Sequence, residues 1–130
     1  MGERRDIIPP GMENIFERFR YAPGVLVDDT LYIAGQVGRD EQLQVVAGTQ
    51  AQFTQAFENV GKVLRAADAT FDDVVEMVTY HLDMRDLTLF MEVKNRYFTG
   101  HVPAWTGIGV TALAMPGLVV EIKCTARLLR

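Results

Sequence analysis

The chain has 130 residues, of which 48% are hydrophobic and 23% charged, the balance of an ordinary globular domain. This composition excludes disordered, collagen-like and coiled-coil chains, and no apolar run approaches the roughly 20 residues that span a bilayer. Thirteen Lys and Arg against seventeen Asp and Glu give a net charge of −4, without the basic footprint of a nucleic-acid-binding protein. No apolar signal segment follows the charged first residues, and a lone cysteine, Cys124, suits a reducing compartment. We therefore expect a cytoplasmic protein whose partners include neither a membrane nor a nucleic acid.

Residues 1–19 are predicted to form an N-terminal extension, and residues 20–130 a single domain. In the extension, Pro9-Pro10-Gly11 predicts a turn. The apolar residues that follow share one face of a short helix: Met12, Ile15, Phe16 and Phe19. Three roles stay open for this helix, namely a cap on the core, a lid over a ligand site and a contact with a neighbouring subunit.

The first half of the domain predicts two strands and a long helix. Two β-branched runs, 25–27 and 30–37, flank Asp28-Asp29 and indicate a β-hairpin. Residues 43–47 predict a further short strand. A helix then begins at Thr49, because apolar residues recur at helical spacing for more than three turns: Phe53, Ala56, Phe57, Val60, Val63, Leu64 and Ala67.

The second half predicts strands at 74–82, 105–113 and 118–128, with a helix from about Asp86 to Phe98. The order indicates an α+β fold in which two helices cover one face of a mixed sheet. The uncovered face still carries apolar residues, so we expect it to be buried against copies of the same chain in a homo-oligomer.

Few residues carry obvious chemistry. Motifs for phosphate binding, zinc binding and serine nucleophiles do not occur in the sequence, and His81 and His101 alone make a poor metal pair. Cys124 reads as a small buried hydrophobe. Glu121 lies on the mixed face of the last strand, where it is either a solvated or Lys-paired acid or, at an oligomer interface, a partly desolvated general base. Tyr21 can contribute a phenol to such a site.

Several segments together resemble the RidA/YjgF family, also described as endoribonuclease L-PSP-like. They are Tyr21, Tyr32 to Gly38, Gln50 to Ala67, Val74 to Asp86, Tyr97-Phe98, Pro103-Ala104 and Val120 to Ile122, and the resemblance covers roughly residues 20 to 128. It implies a chorismate-mutase-like α+β protomer that assembles into a homotrimer with small-molecule sites between subunits. It also implies hydrolysis of reactive imines and enamines to 2-oxo acids and ammonia, with no metal or cofactor.

In the family, an arginine after Pro-Ala binds the substrate carboxylate, and a glutamate holds the water that attacks the imine carbon. The resemblance assigns the glutamate to Glu121 and the family's tyrosine to Tyr21, as catalytic residues. The arginine position holds Trp105. The remaining ligand-binding positions fall at Gly35, Ala34 (for a small polar residue), Gly107 (for a cysteine) and Met91 (for an asparagine).

Tryptophan in place of arginine changes the expected ligand. An indole has one N–H where a guanidinium has a bidentate fork, and loss of a desolvated ion pair weakens carboxylate binding by roughly 2–5 kcal/mol. We therefore expect a flatter, more apolar or aromatic ligand in a cleft floored by Trp105 and widened by Gly107 and Gly109. The cations that can replace the arginine are Arg127, Lys123 and His101.

The sequence is consistent with two functions. One is a cofactor-independent hydrolase of a small imine, enamine or carbonyl compound. The other is a non-catalytic ligand-binding or regulatory trimer with the same cleft. RNA cleavage is disfavoured, because the chain is acidic and has no pair of histidines suited to acid–base catalysis.

Overall fold

The computed structural model describes residues 2–129, which fold around one six-stranded mixed sheet. The strands are β1 (Arg4–Ile7), β2 (Gly24–Val27), β3 (Thr30–Val37), β4 (Val74–His81), β5 (Ala104–Gly109) and β6 (Val120–Arg127). The helices are α1 (Glu13–Phe19), α2 (Thr49–Ala66) and α3 (Leu87–Lys94), with 3-10 turns at Phe71–Asp73 and Met84–Asp86. The strand order is β1-β2-β3-β6-β4-β5, and β4 and β5 form the parallel pair.

Helices α2 and α3 pack on one face of the sheet, with aromatic rings at the centre of the core. The rings of Phe53 and Phe57 lie 5.2 and 5.4 Å from the ring of Phe90. The sheet contributes the buried side chains Leu31, Ile33, Met77, Val120, Ile122, Cys124 and Ala126. This arrangement confirms the predicted α+β fold with both long helices on one face. None of the helices in residues 2–129 has the length and apolarity needed to cross a membrane.

The N-terminal segment adds a strand that the sequence analysis did not predict. β1 pairs antiparallel with β2, and Ile7 at its end is buried in the core. The other three residues of β1, Arg4 to Asp6, are exposed. An edge strand with one buried side chain has no clear alternation of apolar and polar residues. The sequence therefore contains no pattern that predicts its pairing. The domain boundary at residue 20 stays a prediction.

The predicted apolar face of α1 is only half buried. Met12 and Ile15 join the core, whereas Phe16 and Phe19 are 38% and 46% exposed. The helix ends at Arg20, whose φ of 61° reverses the chain toward β2. Burial of Met12 and Ile15 fits the role of a cap, and the exposed rings leave a contact with another molecule open.

Other elements differ from the prediction in length or face. Residues 43–47 supply one bridge, between Val45 and Arg39, rather than a strand. Helix α3 ends at Lys94 and strand β5 at Gly109, both earlier than predicted. A bulge in β4 between Val74 and Glu76 leaves Val75 exposed, although Met77 two residues on is buried. A bulge adds one residue to one strand, so simple alternation assigns the wrong face there.

We expect Phe57→Ala to lower the free energy of unfolding by about 3–5 kcal/mol, because a fully buried ring is removed from an aromatic cluster. Urea denaturation followed by circular dichroism measures the loss. Phe16→Ala deletes the same side chain from a partly exposed position and serves as the control, with a loss below about 1 kcal/mol. Equal losses in the two variants would contradict the assignment of Phe57 to the core.

Candidate functional site

Strand β6 directs Glu121 away from the helices. Its neighbours Val120 and Ile122 are fully buried, so the alternation of the strand turns Glu121 to the uncovered side of the sheet, here called the open face. The cross-strand partners of Glu121 are Val37 on β3 and Tyr80 on β4. Tyr80 and Glu121 also line one shallow depression. Glu121 therefore lies half-buried at the middle of the sheet, as the sequence predicted for its face.

A bulge in β3 makes room for the Glu121 carboxyl group. The pairing of β3 with β6 shifts between Ile33 and Gln36, at Ala34 and Gly35. A Cβ atom on Gly35 would lie 2.7 Å from the carboxyl carbon of Glu121, closer than real Cβ contacts allow. Glycine at this position therefore lets the carboxylate lie against the backbone of β3. Two of the predicted ligand positions, Ala34 and Gly35, thus adjoin the predicted base.

Arg39, just beyond β3, is a charged neighbour of Tyr21 that the sequence does not single out. Its Nη2 donates a hydrogen bond to the phenolic oxygen of Tyr21 at 3.2 Å, and its Nη1 lies 3.5 Å from Sδ of Met115. Arg39 also acts on Glu121: burial raises the pKa of the carboxyl, and the positive charge of Arg39 lowers it by a smaller amount. Nothing in the sequence distinguishes Arg39 from other arginines, because its neighbours come from distant segments.

The structure pairs Tyr21 with Arg39. Tyr21 is exposed, and its hydroxyl accepts the hydrogen bond from the Arg39 guanidinium. Tyr21 and Arg39 line a cavity together with Met12, Ile15 and Lys62, whereas Glu121 lines the shallow depression beside Tyr80.

Trp105 lies on the opposite side of the sheet from Glu121. Its Nε1 donates to Oγ1 of Thr79 at 2.9 Å, and its ring centroid lies 5.7 Å from that of Phe90 on α3. The Thr79 hydroxyl in turn bonds to Nε2 of the buried His81 at 2.7 Å. The one donor of the indole is thus used inside the protein. Within one chain, Trp105 cannot line the same cleft as Glu121.

The remaining predicted site residues divide between the two sides. A Cβ on Gly107 would lie 3.5 Å from the Trp105 ring, so Gly107 borders the indole, and Met91 is exposed on α3. One group is therefore Trp105, Gly107 and Met91, and the other is Glu121, Gly35 and Ala34. Tyr21 lies apart from both, beside Arg39. A site that uses both groups needs the β5 edge of one subunit to meet the open face of another.

Three cations were predicted as substitutes for the missing arginine. Lys123 and Arg127 are exposed on the open face of β6. His101 is exposed in a loop, where its backbone N–H donates to the carboxylate of Asp72. The charge that lowers the pKa of Glu121 is that of Arg39, not of these residues.

The other candidates for chemistry are buried and structural. His81 is 1% exposed, burial lowers its pKa, and its Nδ1 has no hydrogen-bond partner among the described residues. Burial raises the pKa of the Cys124 thiol to about 12, so it stays protonated and unreactive. Residues 2–129 contain no group of three or more His, Cys, Asp and Glu placed to hold a metal ion.

Comparison with known proteins agrees with this architecture. The family model described as Endoribonuclease L-PSP matches residues 13–128. The RutC family protein YjgH of Escherichia coli (strain K12) is 36% identical over 130 residues, which cover 98% of each chain. The 2-iminobutanoate/2-iminopropanoate deaminase of Homo sapiens is 37% identical over 108 residues, 82% of this chain and 78% of that one. A solved structure of protein YjgH has a TM-score of 0.89 at 35% identity, covering 98% of both chains.

These matches define the class of this protein as a YjgF-like α+β protein. The chain belongs to the RidA/YjgF family.

We expect the pKa of Glu121 to lie above its ordinary value of 4.5, because burial disfavours the charged carboxylate. Arg39→Gln removes the opposing positive charge and should raise that pKa further. Titration of ¹³C-labelled carboxyl groups by NMR measures both values. A Glu121 pKa below 4.5 in the wild type, or a decrease in the variant, would contradict this electrostatic description of the site.

Proposed function

We propose that this chain forms a homotrimer with ligand clefts between subunits, and that Glu121 in each cleft activates the water that hydrolyses a small imine, enamine or carbonyl compound. The observation that carries the proposal is the half-buried Glu121 carboxyl, seated against Gly35 on the open face with a raised pKa. A carboxylate whose pKa is raised by burial is a stronger base than a solvated one. The relative in Homo sapiens is named as an imine deaminase, the same class of reaction.

The uncovered surfaces of the protomer support self-association. Tyr32 is 53% exposed at the open face, and Ile108 on β5 is also exposed. β5 is the last strand in the sheet order, so its outer backbone edge has no strand partner within residues 2–129. Exposed apolar surface and an open strand edge both favour pairing with another chain. Contact between the β5 edge and the open face would add Trp105, Gly107 and Met91 to the cleft of Glu121.

Hydrolysis needs only water and proton transfers. The Glu121 carboxylate takes a proton from water while the water oxygen forms a bond to the imine carbon. The electron pair of the C=N bond moves to nitrogen, which receives the proton that Glu121 took from water. The tetrahedral adduct then loses ammonia, and its hydroxyl oxygen forms the carbonyl of the product. No electrons leave or enter, so the step needs no oxidant or reductant. The proposal includes no metal or cofactor, as the resemblance to the family implies.

A non-catalytic binding or regulatory trimer of the same fold is the second candidate. It is favoured by Trp105, because the position that binds the substrate carboxylate in the family is here occupied by an indole whose N–H is already bonded to Thr79. The acidic chain continues to disfavour RNA as the substrate. Cys124 is a buried free thiol, as expected for the cytoplasmic location that we propose.

Glu121→Gln should lower turnover by about 10²–10⁴-fold, because the amide cannot accept the proton from water. The assay is ammonia and carbonyl release from freshly generated imines, both with and without a carboxylate group. Calorimetric affinity for the product 2-oxobutanoate should stay within a few-fold of the wild type. Glu76→Gln makes the same change on an exposed residue of β4 and serves as the control.

The outcomes separate the two candidates. Full turnover in Glu121→Gln would contradict the role of Glu121. A wild-type protein that binds 2-oxobutanoate yet hydrolyses no imine of the panel would favour the binding or regulatory trimer.

Gly35→Ala should lower turnover while leaving the fold intact, because the added methyl collides with the flexible Glu121 side chain rather than with backbone. A displacement of about 1 Å costs on the order of 10²-fold in rate. Steady-state kinetics and thermal unfolding measure the two effects. Gly2→Ala, whose methyl would meet its nearest neighbour at 3.6 Å, is the matched control. Unchanged turnover in Gly35→Ala would show that the position of the carboxylate against β3 is unimportant.

A further inference from the structure

We infer that His81, acting through the hydroxyl of Thr79, positions the Trp105 indole, and that protonation of the His81 ring in acid releases it. These three side chains thus form an acid-sensitive latch on β5, here called the β5 latch. The latch is a property of the protomer and goes beyond the proposed hydrolysis at Glu121. In the proposed assembly β5 borders the cleft, so the release also loosens the subunit boundary; that consequence alone rests on the proposed function.

Trp105 is the side chain that anchors β5 to the core. Of the six residues of β5, Trp105 is partly buried and the others are exposed. Its ring lies 5.7 Å from the ring of Phe90 on α3. The strand has β4 as its neighbour on one side and no strand partner on the other within residues 2–129. Backbone pairing with β4 and the packing of one indole therefore hold this edge strand in place.

The hydrogen-bond chain behind the indole ends at His81. Nε1 of Trp105, the one polar atom of the indole, donates to Oγ1 of Thr79 at 2.9 Å. That oxygen lies 2.7 Å from Nε2 of His81. Thr79 and His81 are 0% and 1% exposed, so no substrate reaches them and solvent does not compete for their contact. Burial therefore favours a positioning role for this pair over a catalytic one.

The surroundings of His81 suit the neutral ring and oppose its cation. The ring makes a T-shaped contact with Phe90, with centroids 4.7 Å apart, and its Nδ1 has no hydrogen-bond partner among residues 2–129. Its cross-strand partners, Gly109 on β5 and Val120 on β6, carry no charge. The imidazolium has an N–H on both nitrogens, so protonation places a charge and an unpaired donor in the core. Movement of the ring toward water removes that cost and breaks the contact with Thr79.

The charged groups on the neighbouring elements do not cancel this effect. Asp86, in the 3-10 turn before α3, favours the charged ring, but burial outweighs it and keeps the pKa of His81 below its ordinary value of 6.5. On α3, the Lys94 ammonium lies 5.4 Å from the centroid of the Trp105 ring and adds positive charge to the same region. The unfolded chain therefore binds this proton more readily than the folded one, and the folded state loses stability as the pH falls below about 6.5.

The test uses fluorescence, because Trp105 is the one tryptophan of the sequence. As the pH falls from about 7 to about 5, the emission maximum of the wild type should shift to longer wavelength while the far-UV circular dichroism stays constant. His81→Gln should abolish this shift, because the amide can bond to Thr79 but does not titrate. His101→Gln, the same change at the exposed histidine, is the matched control and should respond as the wild type does.

A second variant and a second readout make the test independent of His81→Gln alone. Thr79→Val removes the hydroxyl between the two rings at nearly constant shape, so its emission should already be shifted at neutral pH and respond little to acid. Urea denaturation measures the proton linkage. The unfolding equilibrium constant of the wild type, relative to that of His81→Gln, should rise by up to about tenfold for each pH unit below 6.5.

Three results would overturn the β5 latch: no shift in the wild type, a shift that persists in His81→Gln, or a shift that is lost in His101→Gln. Emission and circular dichroism that change together in the wild type would also overturn it, because acid would then unfold the whole chain. If His81→Gln does not fold, emission of the wild-type kind in Thr79→Val overturns the latch, and shifted emission supports it. None of these readouts uses turnover, so a failure of the proposed hydrolysis leaves the latch standing.

Discussion

The packing of α2 and α3 against one face of the sheet governs the position of every functional group in this protein. The rings of Phe53, Phe57 and Phe90 join the two helices, and the inward side chains of the strands complete the core. Because side chains alternate along a strand, each buried residue of β6 obliges its neighbour to face the other way. Glu121 therefore lies on the open face, and the same constraint leaves that face to be covered by something other than the chain's own helices.

In this protein, the residues at the family's site positions lie on both sides of the sheet. Trp105 points toward α3 and takes part in a buried chain of hydrogen bonds with Thr79 and His81. Tryptophan at this position therefore packs within the protomer. An arginine buried there would need an anionic partner to balance its charge. The residues at the family's other site positions, Glu121, Gly35 and Ala34, lie on the opposite side of the sheet from this tryptophan.

The electrostatics of the open face balance two opposing effects on Glu121. Partial burial disfavours the carboxylate, whereas Arg39 favours it from beyond ion-pair distance. A direct ion pair would neutralise both groups and lower the basicity of the carboxylate. The bulge at Ala34 and Gly35 gives the Glu121 carboxyl room beside β3, while the Arg39 guanidinium donates to Tyr21.

The sequence by itself determined the order of the elements from β2 onward, the start of α2 at Thr49 and the face of β6 that carries Glu121. Those features follow from periodicity within one segment, which is a local property. The tertiary structure alone decided the pairing of β1, the bulge at Val75, the inward packing of Trp105 and the contact of Arg39 with Tyr21. Each of these features depends on which distant segments of the chain come into contact. No local sequence pattern predicts those contacts, because strand pairing and burial form only when the whole chain folds.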